Sequence, residues 1–111
     1  MKGTNLGEFE EVVMLTIAAL MDEAYSVNIC DELSRRTGRK IKLGVIHAVL
    51  HRLEKKDFIV SSLGEATKIR GGKRKRFYLL TAGGKNALIK ARELRDELWS
   101  PIPNVVFNPS I

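Results

Sequence analysis

At 111 residues the chain has room for one hydrophobic core rather than two, and its 44% hydrophobic content excludes wholesale disorder. No stretch reaches the ~18–20 consecutive apolar residues of a membrane-spanning helix, so no membrane partner is expected. Lys and Arg number 19 against 13 Asp and Glu, and the net charge of +6 favours a polyanionic partner. Cys30 is the single cysteine and can form no disulfide within the chain, and no basic leader with an apolar segment opens the sequence; a cytoplasmic location is the expectation. Cys30 itself reads as a small core residue, with a redox sensor as the alternative.

The first predicted element is a helix over Glu8 to Met21, with Phe9, Val12, Val13, Ile17 and Leu20 at helical spacing and acids at its positive N-terminal end. Met14, Leu15, Ala18 and Met21 add a second apolar face, which calls for a second cover such as a partner subunit. Ser26 stands where an N-cap is needed before Ile29, Cys30 and Leu33, and Gly38 stops this second helix. After a short extended strand at Lys40 to Lys42, a third helix carries Leu43, Ile46, Leu50 and Leu53 and runs to about Lys56. Phe58 to Leu63 and Lys75 to Leu80 read as two strands joined by a basic loop. Thr81 then caps a fourth helix in which Ala87, Ala91, Leu94 and Leu98 repeat like one coiled-coil seam, and Pro101, Pro103 and Pro109 allow little helix beyond Trp99. The fold class is mainly α with a small β-hairpin: a winged helix-turn-helix over 1–81 and a C-terminal dimerisation helix with a short tail over 82–111, in the same compact unit.

Helices two and three followed by a charged hairpin form the outline in which the third helix enters a major groove. At ~100° per residue, Leu43, Ile46, Leu50 and Leu53 share one face, Gly44, Ala48, His51, Arg52 and Lys55 the other, and His47 lies at the boundary. Small Gly44 and Ala48 permit close approach, and His47, His51 and Arg52 can donate to base edges, although any amphipathic helix also shows a solvated face. The segment 68–76 holds six basic residues, among them Arg70, Lys73, Arg74, Lys75 and Arg76, and no acid. Such a run fits phosphate contacts made with release of counterions; a solvated charge run and a localisation-type patch are the alternatives.

Other chemistry finds little support. His47 and His51 are four apart, as helical zinc ligands are, yet Ala48 stands where the HExxH motif has its glutamate and no third ligand is near, so no metal is expected. Gly71-Gly72-Lys73 lacks the first glycine and the final Ser or Thr of a phosphate-binding loop, with Thr67 and Arg74 in those places. No nucleophile with a base and no paired carboxylates stand out, so neither catalysis nor a cofactor is expected. Trp99 can simply pack at the end of the seam, or offer a stacking surface to a planar aromatic effector.

The segments Leu6-Gly7-Glu8-Phe9-Glu10, Ala24-Tyr25-Ser26-Val27, Leu43-Gly44-Val45-Ile46-His47, Leu50-His51-Arg52-Leu53-Glu54 and Arg70-Gly71-Gly72-Lys73-Arg74-Lys75-Arg76-Phe77-Tyr78-Leu79-Leu80-Thr81-Ala82-Gly83 together resemble the PadR family of bacterial transcriptional regulators. The resemblance spans Leu6 to about Leu98. It implies a homodimer held by the C-terminal helix with help from helix one, repression at an inverted-repeat operator in double-stranded DNA, and in some members a response to phenolic or other flat hydrophobic ligands. It also implies DNA contacts from Lys42, Gly44, His47, Ala48, His51 and Arg52, phosphate contacts from Tyr25, Ser26 and the wing, and a ligand-stacking place for Trp99. Where the family commonly has Ser or Thr and Tyr, this chain has Lys42 and His47, so its base preference differs. A winged-helix RNA- or protein-interaction module without operator specificity is the alternative function.

Overall fold

The computed structural model describes residues 6–66 and 74–109. Its elements are α1 (Glu8–Leu20), a 3-10 turn (Met21–Glu23), α2 (Ser26–Thr37), α3 (Leu43–Lys55), β1 (Ile59–Ala66), β2 (Arg74–Leu80), α4 (Ala82–Trp99) and a closing 3-10 turn (Asn104–Phe107). The first three helices pack around Val13, Met14, Ile17, Ile29, Leu33, Ile46, Val49, Leu50 and Leu53, and Phe58, Ile59 and Tyr78 close the core from the hairpin. Each of the larger side chains contributes about 1.5–3 kcal/mol of transfer free energy, which is what holds three short helices together. The result is the expected mainly helical winged helix with a two-stranded antiparallel hairpin.

Local chemistry explains the element ends. Gly38 takes φ +70° and terminates α2 in the left-handed conformation that a side chain disfavours. Asp57 adopts φ 61° in the turn between α3 and β1, and the Thr81 hydroxyl steadies that turn by donating to its carbonyl at 2.6 Å. The same hydroxyl accepts from the Gly84 N–H at 3.0 Å and caps α4 as the sequence predicts. The strands pair Ile59 with Leu80 through Leu63 with Arg76, and inward Ile59 and Tyr78 alternate with outward Val60 and Leu79.

Three expectations require correction. Ser26 is the first helical residue rather than the N-cap; Tyr25 occupies that place because it is held extended in an isolated bridge to Phe77. Lys40 to Lys42 is not a paired strand: the Ile41 carbonyl accepts from Cys30 Sγ at 3.1 Å and its N–H donates to Ser34 Oγ at 3.2 Å, so side chains of α2 satisfy backbone that a strand would otherwise pair. Met14 belongs to the core and not to the second apolar face, which consists of Leu15 and Ala18 of α1 and of Met21, where the 3-10 turn begins because α1 ends one residue before the expected helix end; all three are exposed.

Candidate nucleic-acid interface

The outer face of α3 is free of contacts with the rest of the fold over most of its length. Ile46, Val49, Leu50 and Leu53 point inward, while Lys42, Gly44, His47, Ala48 and His51 are all exposed. Val49, left out of the sequence stripe, completes the buried face, and Leu43 is partly exposed at its start. A Cβ at Gly44 would meet nothing within 4 Å, so nothing inside the chain demands glycine there. The position is open to the approach of another molecule's backbone.

Arg52 differs from its neighbours on that face. Its Nε lies 3.5 Å from Glu10 Oε2 on α1, although its side chain remains half exposed. Glu10 is only 6% exposed and also accepts from Lys56 Nζ at 2.8 and 3.1 Å and from the Gly7 N–H at 2.8 Å. Burial pushes this carboxyl up, but the hydrogen bond and charge of Lys56, the Gly7 N–H and Arg52 outweigh burial and hold it below its ordinary value. The buried carboxylate thus pins the C-terminal turn of α3 to α1. Its signal in the sequence is phase: Glu10 falls on the same helical face as Val13 and Ile17.

The wing is fastened to the start of α2. Tyr78 N–H donates to the Ala24 carbonyl at 2.9 Å, and the Tyr25 ring meets Phe77 edge-on at 5.5 Å. Lys75 Nζ sits 4.1 Å from the centre of the Tyr25 ring, so one cation of the wing, Tyr25 and the partly exposed Ser26 cluster at the positive N-terminal end of α2. Arg76 is tied inward: its Nη1 donates to Ser61 Oγ at 3.1 Å, and that hydroxyl donates to Glu54 Oε2 of α3 at 2.8 Å. Arg70 and Lys73 lie outside the described residues; Arg74 begins β2, paired with Ala66. His47 and His51 join no group of three metal-ligating side chains among the described residues.

On α4, Ala87 leans on the core of its own chain and Ala91 is half-buried, whereas Leu94 and Leu98 are 57% and 63% exposed. Trp99 is 60% exposed, and the Phe107 ring stacks on it at 5.4 Å and 25°. The proline-bounded tail therefore folds back on Trp99, a contact that nothing in the spacing of the prolines announces. Between α1 and α4 runs an open groove of about 420 Å³ lined by Leu15, Leu88, Ile89, Arg95 and Trp99 among others. No helix among the described residues is long and apolar enough to cross a membrane.

Residues 14–90 match the family described as the transcriptional regulator PadR-like family. The chain belongs to that family. An uncharacterised protein of Lysinibacillus sphaericus is 33% identical over 102 residues, 90% of this chain and 85% of that one. A PadR-like transcription factor from Bacteroides fragilis superposes with a TM-score of 0.67 at 25% identity, over 81% of this chain and 82% of that structure. A PadR-like transcriptional regulator from Bacillus cereus shares the fold with a TM-score of 0.71 at 19% identity, over 90% and 92%. The matched family is one of transcriptional regulators, and the Bacteroides fragilis structure is a transcription factor.

Proposed function

We propose that this PadR-like regulator is a homodimeric repressor that binds an inverted-repeat operator in double-stranded DNA. The single observation that carries this reading is the exposed face of α3, with Gly44 and Ala48 leaving room and His47 and His51 offering donors beside a wing whose Lys75 lies at the N-terminal end of α2. In this reading α3 enters the major groove with Lys42, Gly44, His47, Ala48 and His51 foremost, because base contacts come chiefly from the N-terminal part of such a helix. Arg52, the residue after His51 and leaning toward Glu10, reaches the flanking backbone or the last base of the half-site. Tyr25, Ser26, Arg70, Lys73, Arg74 and Lys75 contact phosphates, and Arg76 adds charge while bracing the wing against α3.

Residues 1–81 form the reading unit and 82–111 the dimerisation helix and tail. Leu94 and Leu98, with the half-buried Ala91, supply the dimer contact, and the second copy also covers Leu15 of α1 and Met21 just beyond it; the support is that Leu94, Leu98, Leu15 and Met21 are exposed in the single chain. A planar hydrophobic effector stacks on Trp99 in the groove between α1 and α4 and releases the operator.

The test is selection of bound sequences from random duplex DNA, with single-stranded RNA as competitor. The expected product is an inverted repeat whose half-sites lie about one helical turn (~34 Å) or a multiple apart. A consensus without twofold symmetry, or displacement by the RNA as effective as by the selected duplex, overturns the reading in favour of an RNA-binding module.

A further inference from the structure

α4 is fastened tightly at its first turn and loosely thereafter. Thr81 caps it, and Gly84 sits so close to the chain entering β1 that a Cβ there would stand 2.0 Å from the Phe58 carbonyl oxygen. Ala87 and Leu88 complete the contact with the core. Beyond them Ile89, Leu94, Leu98 and Trp99 are all more than half exposed. Some three turns past Gly84 the helix is tied back to the body: Arg95 donates from Nη2 to Glu11 Oε1 at 2.9 Å and from Nε to Glu11 Oε2 at 3.4 Å. The Glu11 side chain is 13% exposed, and its carboxylate raises the Arg95 guanidinium above its ordinary value. Glu10, the preceding residue, reaches Lys56 and Arg52 at the end of α3. Consecutive carboxylates on α1 therefore hold the recognition helix on one side and α4 on the other.

We propose that Glu11 and Arg95 are a positioning pair that sets the angle of α4 against the DNA-binding body, and thereby the half-site separation the dimer accepts; the second clause rests on the dimeric operator reading. The lever is long enough to matter. An 18-residue helix is about 27 Å long, so a ~10° tilt about Gly84 moves its far end by several ångströms, comparable to the ~3.4 Å rise of one base pair. Apolar contacts beyond Leu88 are too sparse within one chain to resist that tilt. A two-bonded guanidinium–carboxylate fork is directional and does resist it.

The experiment compares the full chain with Glu11→Gln, Arg95→Gln and the double variant. Spin labels at Lys55→Cys and Glu97→Cys, with labelled chain diluted into unlabelled chain, report the intramolecular distance between the end of α3 and the end of α4. Duplexes whose half-sites are moved apart one base pair at a time report spacing preference. All three variants should broaden the distance distribution equally and reduce the preference for the best spacing about 1.4- to fivefold, the range an exposed ion pair's interaction energy corresponds to. Distributions as narrow as in the unsubstituted chain overturn the positioning role, and so does a double variant whose effect is the sum of the two singles. Spacing preference unchanged despite broadened distances overturns the link to operator choice. An unsubstituted chain indifferent to spacing defeats the dimeric operator reading instead, and the label distances still decide whether Glu11 and Arg95 position α4.

Discussion

α3 and the far half of α4 carry similar apolar stripes and end in opposite circumstances. Ile46, Val49, Leu50 and Leu53 of α3 are sealed against α1 and α2, and the C-terminal end of the helix is bonded to the body through Lys56 with Glu10 and through Glu54 with Ser61. Leu94, Leu98 and Trp99 of α4 stand out in solvent, steered by the Arg95–Glu11 fork and stacked upon by Phe107. The difference teaches that a periodic stripe announces a face to be covered but not which chain covers it. The core around α3 is complete within one chain, whereas the far half of α4 leaves its apolar side chains exposed.

The contrast can be broken most severely at α3. Ile46→Ala, at a site with no exposure, should lower unfolding free energy by about 2–5 kcal/mol in denaturant titration. Leu94→Glu should instead leave the fold intact and shift sedimentation from dimer to monomer; unfolding of the chain on a par with Ile46→Ala would erase the distinction between the two helices. Next in size is Glu10→Gln, which keeps the shape but removes the charge facing Lys56 and should cost about 1–3 kcal/mol near neutral pH. Because the folded state holds this carboxyl below its ordinary value of 4.5, its contribution is complete above that value and is lost as pH falls through the lower, folded-state value. Stability curves of the two proteins should therefore converge in acid, and a gap that persists unchanged would assign the loss to shape instead of charge. Smallest is Arg76→Ala: its exposed link to Ser61 should be worth only about 0.2–1 kcal/mol in thermal unfolding, since exposed charged contacts contribute little.

Features decided by neighbours in sequence were legible there. Thr81 capping α4, Gly38 ending α2 and the exposed face of Gly44, Ala48 and His51 all follow from three or four adjacent residues. Features decided by distant partners were not. Ser26 looked like the cap of α2 until the bridge from Phe77 took hold of Tyr25, 52 residues away from it in the chain. Arg76 read as one more wing cation, yet its bond to Ser61 depends on strand register. Ala87 fitted the dimer seam by spacing, but the close approach of α4 to Phe58 at Gly84 turns it toward its own core. The phase of Glu10 with Val13 and Ile17 marks it as inward-facing, but the cations that make it a buried hub sit 42 and 46 positions later.

The division of labour between α3 and the wing is the centre of the account. It is tested most directly by measuring affinity for the selected operator and for a scrambled duplex with two variants, His51→Ala and the Lys73/Arg74 double alanine. His51→Ala should lower the operator-to-scrambled ratio by an amount equivalent to about 1–3 kcal/mol while leaving scrambled binding nearly unchanged. The wing variant should weaken both duplexes alike and flatten the dependence of log K on log salt. Identical loss profiles for the two variants would contradict it.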